Sequence, residues 1–167
     1  MFPRLLALLW LLSILQASLA QQSGTREREV PETCAVTKPS DRPFVPPWPY
    51  QAQATVGNGF WFGTDRYWTL LPTNGTWPLG EKTFWFRQEW GRDKWIPGKD
   101  ASQLTVTARR LDAPAPPPEV LKANSSYREQ DWKAFLVGGI NFPSPGCWEV
   151  SGRYEADELT FVVWVVK

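Results

Sequence analysis

Nine of the 16 prolines fall in two short stretches, five between Pro39 and Pro49 and four between Pro114 and Pro118. Proline has no N–H to donate and its ring clashes with the preceding helical turn, so neither stretch fits a helix interior or a central strand. Extended, polyproline-like chain is what remains. For Pro39–Tyr50 it should lie along the domain surface, with Phe44, Val45 and Trp48 as anchors. Elsewhere the apolar runs are short and bounded by turn residues. Phe60-Trp61-Phe62 and Tyr67–Leu71 flank Gly63-Thr64-Asp65-Arg66, a hairpin signal, and Asn74-Gly75 marks the next turn. Lys82–Trp90 and Gln103–Leu111 read as strands, and Trp132–Phe142 is a further apolar segment. Cys147–Tyr154 and Leu159–Val166 read as a terminal hairpin around Glu155–Glu158. Leu121–Trp132 has room for one helical turn. No other stretch beyond the N-terminal leader holds a helical period for three turns. About seven short strands predict an all-β, antiparallel β-sandwich with a Pro-rich N-terminal extension. There is no internal repeat of the kind a propeller or solenoid needs.

The N-terminus reads as an export signal. Arg4 precedes an apolar run, Leu5–Leu15, and Ser18-Leu19-Ala20 offers small residues for cleavage. A membrane span needs about 20 apolar residues, so cleavage is favoured over a retained anchor. No Cys follows the cleavage site closely enough for a lipid anchor, and no sorting signal or second span follows the last apolar run. Residues 1–20 are thus assigned to the signal, 21–33 to a flexible polar leader, and 34–167 to one sandwich domain. Arg4 is the only charge lost with the signal. The mature chain then balances 17 basic against 17 acidic residues, with no global pull toward nucleic acid or anionic membrane. Two cysteines in an exported chain predict one disulfide, Cys34–Cys147, in preference to two free thiols.

Strand alternation assigns faces. Trp68 and Leu70 share one face, with Tyr67 and Thr69 opposite. Phe84 and Phe86 share another, with Thr83, Trp85, Arg87 and Glu89 on the polar side. Trp148, Val150, Gly152 and Tyr154 lie opposite Cys147, Glu149, Ser151 and Arg153. That places the disulfide on the outer or edge side of its sheet. Leu159–Val166 is apolar on both faces and should be central or covered. Trp68, Trp148 and Trp164 are expected in the core.

The chain has no His, which removes a Ser-His-Asp triad, a Cys-His pair and imidazole metal ligation. Glu155, Asp157 and Glu158 have the chemistry for Ca²⁺ or glycoside hydrolysis, but a solvated hairpin turn explains them more simply. Ser125-Ser126 lies outside any Gly-x-Ser-x-Gly or Ser-x-x-Lys context. Gly138-Gly139 reads as a bulge, not a phosphate loop. Asn74-Gly75-Thr76 and Asn124-Ser125-Ser126 match the N-glycosylation pattern. No catalytic residue, cofactor or metal is assigned. The informative excess is tryptophan, 11 in the chain. Rings outside the core have two uses: capping sheet faces against the proline segments, or forming an open platform. Tyr67, Trp85, Arg87 and Trp61 are the platform candidates, suited to stacking on a glycan or peptide.

The blocks CAVTKPS (Cys34–Ser40), RRLDAPAPP (Arg109–Pro117) and FPSPGCWEVSGRY (Phe142–Tyr154) resemble those of a group of uncharacterised secreted bacterial proteins. The resemblance spans roughly residues 34–167 and implies export without implying an activity. Pro145–Gly152 also resembles the penultimate strand of immunoglobulin-like extracytoplasmic modules, which bears on fold alone. Together these lines predict an exported, monomeric, immunoglobulin-like module of the cell envelope, periplasm or extracellular space. Its expected role is non-enzymatic, structural or ligand-binding, with a polysaccharide, peptidoglycan or protein partner. The alternative is a small hydrolase acting on glycans or peptides through carboxylates.

Overall fold

A computed structural model describes residues 29–48, 55–89, 101–128 and 133–167. The signal at 1–20, most of the leader, the chain from Pro49 to 54, the loop before Ala101, and Trp90, Trp95 and Trp132 lie outside them. Among the described residues, ten strands form two sheets. The first sheet contains β1 (Thr55–Val56), β2 (Gly59–Gly63), β3 (Tyr67–Pro72), β5 (Gly80–Arg87), β7 (Glu119–Arg128) and β8 (Lys133–Asn141), in the order β1-β2-β3-β5-β8-β7. The second contains β4 (Thr76–Pro78), β6 (Leu104–Arg110), β9 (Gly146–Tyr154) and β10 (Asp157–Val166), in the order β4-β10-β9-β6. All neighbours are antiparallel except β4, which runs parallel to β10. A 3-10 turn, Ala101–Gln103, leads into β6.

Both expected hairpins form, β2–β3 with Phe60 opposite Leu71 and β9–β10 with Val150 opposite Phe161. The second turn is tighter than expected: Glu155 and Ala156 suffice, with Glu155 at φ 53°. β7 and β4 depart from the sequence reading, and the expected bulge lies on a partner strand. β7 occupies the stretch where a helical turn was expected, because it completes its hydrogen bonding along β8. The Gly138-Gly139 pair keeps register with β5, but on the other side only Gly139 is paired, with Leu121; the bulge expected here falls in β7, where the residues between Leu121 and Asn124 stand opposite Gly138. Short β4 carries the chain from the first sheet to the second.

The interior is aromatic. Trp77, Trp85, Trp148, Tyr67, Tyr154, Phe142 and Phe161 are buried together with Leu71, Val106, Ile140, Val150, Val163 and Val165. β9 turns Trp148, Val150, Gly152 and Tyr154 inward, as alternation predicts. Cys147 therefore faces outward. There it meets Cys34, with Cα atoms 5.6 Å apart, beside Val36, Val162 and Trp164. Trp164 is thus on the outer face of its sheet, not in the core, since it has the opposite parity to Val163 and Val165.

Beyond Cys34 the N-terminal segment acts as a strap across both sheets. Thr37 N–H donates to Val162 O and Val162 N–H to Thr37 Oγ1, each at 2.9 Å, while Trp164 N–H donates to Gly75 O. The strap thus extends the β10 ladder where β4 stops. Gly75 turns the chain at φ 71°, and a Cβ there would run into Val36. Phe44 then reaches the outer face of the first sheet and packs on Trp68, ring centroids 6.2 Å apart.

Candidate functional site

The proposed aromatic platform depended on which face of β3 and β5 points outward, and the fold inverts that assignment. Tyr67 pairs with Arg87, Trp68 with Phe86 and Thr69 with Trp85. Tyr67, Thr69, Thr83, Trp85 and Arg87 point between the sheets, and none is more than 5% exposed. Trp68 and Phe86 point outward, but lie buried in a second cluster with Phe44, Trp61 and Phe84. Of the four platform candidates, three are interior and Trp61 is half-buried on the opposite face. The physical reason is that both faces of these strands are apolar: the strap covers one and the second sheet covers the other.

Trp85 fills the space between the sheets. Its indole stacks on Tyr67 at 5.6 Å and 16°, tilts against Phe161 at 5.9 Å, and donates its Nε1–H to Thr83 Oγ1 at 2.8 Å. Thr69 Oγ1 donates to Phe84 O at 2.7 Å. These bonds explain how two threonines are accommodated in an aromatic interior.

Arg87 closes one end of this interior. Its guanidinium donates to Glu155 in the β9–β10 turn, lies 3.3 Å from Asp157 and 3.5 Å from Glu89, and sits 5.1 Å above the Tyr154 ring. Burial works against its charge, but the Glu155 hydrogen bond and the Glu89, Glu155 and Asp157 carboxylates more than offset it, raising its pKa. The carboxylates expected in a solvated turn are therefore partly engaged in holding β5 to that turn. Burial pushes the Tyr67 phenol far above its ordinary range; Asp157 adds to the rise and Arg87 opposes it. Tyr67 stays a neutral phenol.

Replacing Arg87 by Met should cost about 1–3 kcal/mol. The side chain itself is buried, but Glu89 and Glu155 are half-exposed, so water screens what is left behind. Arg87→Lys should recover only part of the loss, because a point charge cannot serve three carboxylates as a fork does. Urea unfolding measures both; a Met variant within about 0.5 kcal/mol of the parent would remove the clamp role.

Open concavities lie elsewhere. β3 pairs with β5 only as far as Thr69–Trp85. Pro72 has no N–H to continue the ladder, and the chain leaves for the other sheet through β4. The strands splay there around a cleft of about 280 Å³. Trp77, Leu70 and Phe84 supply its apolar surface, and Asn58, Glu81 and Lys82 its polar groups. A second cleft of about 280 Å³ lies between edge strands β6 and β7, lined by Leu104, Val106, Val120 and Lys122. A third, about 240 Å³, is polar and lies on the outer face of the second sheet at Thr107, Ser151 and Arg153. None of the three holds more than one carboxylate. The splayed cleft was not anticipated from the sequence. Its only local signal was the proline ending a strand run, at Pro72.

Among the described residues no cluster of His, Cys, Asp and Glu suits a metal ion, and no helix is long and apolar enough to cross a membrane. No family model, curated protein or solved structure matches the chain.

Proposed function

We propose that the chain is an exported, non-enzymatic module with an immunoglobulin-like sandwich, working as a monomer in the cell envelope, periplasm or extracellular space. The disulfide is consistent with an oxidising compartment. The residues with the most chemistry, Tyr67, Trp85, Arg87, Glu155 and Asp157, are engaged in packing and ion pairing. The binding reading rests on the splayed β3–β5 cleft, where aromatic side chains meet Asn58, Glu81 and Lys82. Apolar walls with a few convergent polar groups suit one unit of a glycan or peptide. Calorimetric titration with cello-, chito- and peptidoglycan-derived oligosaccharides and short peptides tests this. Lys82→Ala and Glu81→Gln should each weaken binding about three- to tenfold without changing Tm. Absence of saturable binding by the parent to every one of these ligands refutes the cleft reading.

A further inference from the structure

The gap between β3 and β5 is walled by main chain as well as by side chains. Gln88 N–H donates to Arg66 O across these two strands, and Phe84 O accepts from Thr69 Oγ1. Alternation along β5 therefore turns the N–H and C=O of Lys82 toward the gap as well. Pairing with β3 has ended by then, at Thr69–Trp85. On its other side β5 stays paired with β8 down to Gly80. The first half of β5 is thus an open edge inside the first sheet, held in place by β8.

The chain itself supplies an acceptor at that edge. The carboxylate of Glu81 folds back and accepts Lys82 N–H at 2.8 Å. A side-chain oxygen therefore stands where the carbonyl of a further strand would stand. The aromatic surface around it does not suit a sugar. Trp77 forms the floor, but its indole is 4% exposed and turned against Phe142 and Phe161. Phe84 packs into the outer cluster with Trp68 and Phe86. A sugar ring stacks on an open aromatic face, and neither ring offers one.

We propose that the ligand of this cleft is an extended peptide segment, which adds to the β5 edge as a short strand. The inference rests on the cleft reading above and narrows it to one ligand class. A peptide carbonyl replaces the Glu81 carboxylate on Lys82 N–H, and a peptide N–H donates to Lys82 O. The displaced carboxylate stays beside the bound strand, as an acceptor for another of its N–H groups. Main-chain pairing of this kind supplies affinity, and the pockets reached by alternate side chains supply selectivity. Here one side chain in two points toward the Trp77 floor and should be apolar, while the next points to solvent beside Lys82. Because β8 already fixes β5, the ordering cost falls on the peptide.

The test titrates the disulfide-intact chain calorimetrically with capped hexapeptides that alternate threonine with valine, leucine or phenylalanine, and in parallel with cellohexaose and chitohexaose. Saturable binding of at least one peptide is expected, and of neither oligosaccharide. N-methylating every second amide of that peptide should weaken binding at least about tenfold in one register and much less in the other, because a ladder uses one edge of the ligand. Lys82→Pro removes an N–H that the β5–β8 ladder leaves unused, so the fold should survive, which Tm will show. It should weaken peptide binding about three- to tenfold beyond Lys82→Ala, which keeps the N–H. The inference is overturned if no peptide binds, if both N-methylated forms bind as the parent peptide does, or if folded Lys82→Pro binds as Lys82→Ala does. Oligosaccharide binding that Lys82→Ala weakens, with no peptide bound, would leave the cleft reading standing and remove the peptide. Binding of neither class removes both.

Discussion

Gly152→Ala should destabilise the domain by about 3 kcal/mol, the upper end of what over-packing costs. Gly152 lies in β9 opposite Val106 on one side and Leu159 on the other, so its backbone is held by two ladders. Its inward side faces the six-membered ring of Trp85. A Cβ built on Gly152 would fall inside the van der Waals envelope of that ring, against three of its carbons. The indole has no easy escape. It is stacked on Tyr67, tilted against Phe161 and hydrogen-bonded to Thr83. Room for a methyl therefore requires the two sheets to move apart or the indole to give up its bond. For a domain of this size the expected fall in Tm is roughly 6–12 °C, measured by calorimetry. Trp85→Phe should be destabilising in the parent, yet less so, or even favourable, in the Gly152→Ala background, because the smaller ring removes the clash. A double-mutant cycle would show that coupling. An alanine variant as stable as the parent would mean the sheets are not spaced by this contact.

The second large effect is at the disulfide. Cys34→Ser with Cys147→Ser should cost about 4–5 kcal/mol, the chain-entropy value for a link across 113 residues. Removing it frees the unfolded chain and also loosens the strap. Cys34, Val36 and Cys147 form one small buried cluster that shares no member with the main core. Strap and sheet should therefore separate before the sandwich opens. Hydrogen exchange should show early loss of protection at Thr37 and Val162, whose amides bond across that contact. Non-reducing mass mapping should recover the Cys34 and Cys147 peptides joined. Two alkylatable thiols in the unreduced protein would contradict the staple, and a loss below about 1 kcal/mol would contradict its weight.

Several features were legible because they depend on local chemistry. The Gly63–Arg66 and Glu155–Ala156 turns, the alternation of β6 and β9, and the outward face of Cys147 each follow from residues close in sequence. The doubly apolar β10 was expected to be covered, and it is, by β4, β9 and the strap. The face of β5 was misread for a specific reason. Phe84 and Phe86 on one side and Trp85 on the other bury comparable apolar area, so period-two alternation defines two faces without ranking them. Arg87 tipped the expectation outward, since a lone guanidinium belongs in water. Its partners Glu155 and Asp157 stand 68 and 70 positions along the chain, and no local pattern joins them to β5. Val45 and Trp48 were misread in the opposite sense. Apolar side chains among prolines read as anchors, yet Phe44, Pro46 and Pro47 are the ones turned from solvent, while Val45 and Trp48 are exposed.

The sequence by itself determined the class of structure. Prolines and turn residues forbid long helices, alternation demands sheets, and two cysteines behind an export-type leader call for a disulfide. Those constraints act within a few residues or need only a count. The tertiary structure decided which face of each apolar strand is interior, what the carboxylates hold, and which aromatic rings meet solvent. Each of these depends on what lies opposite, across a second sheet or beneath a strap. Burial free energy is a property of the pair of surfaces brought together, so one strand's sequence alone does not specify it.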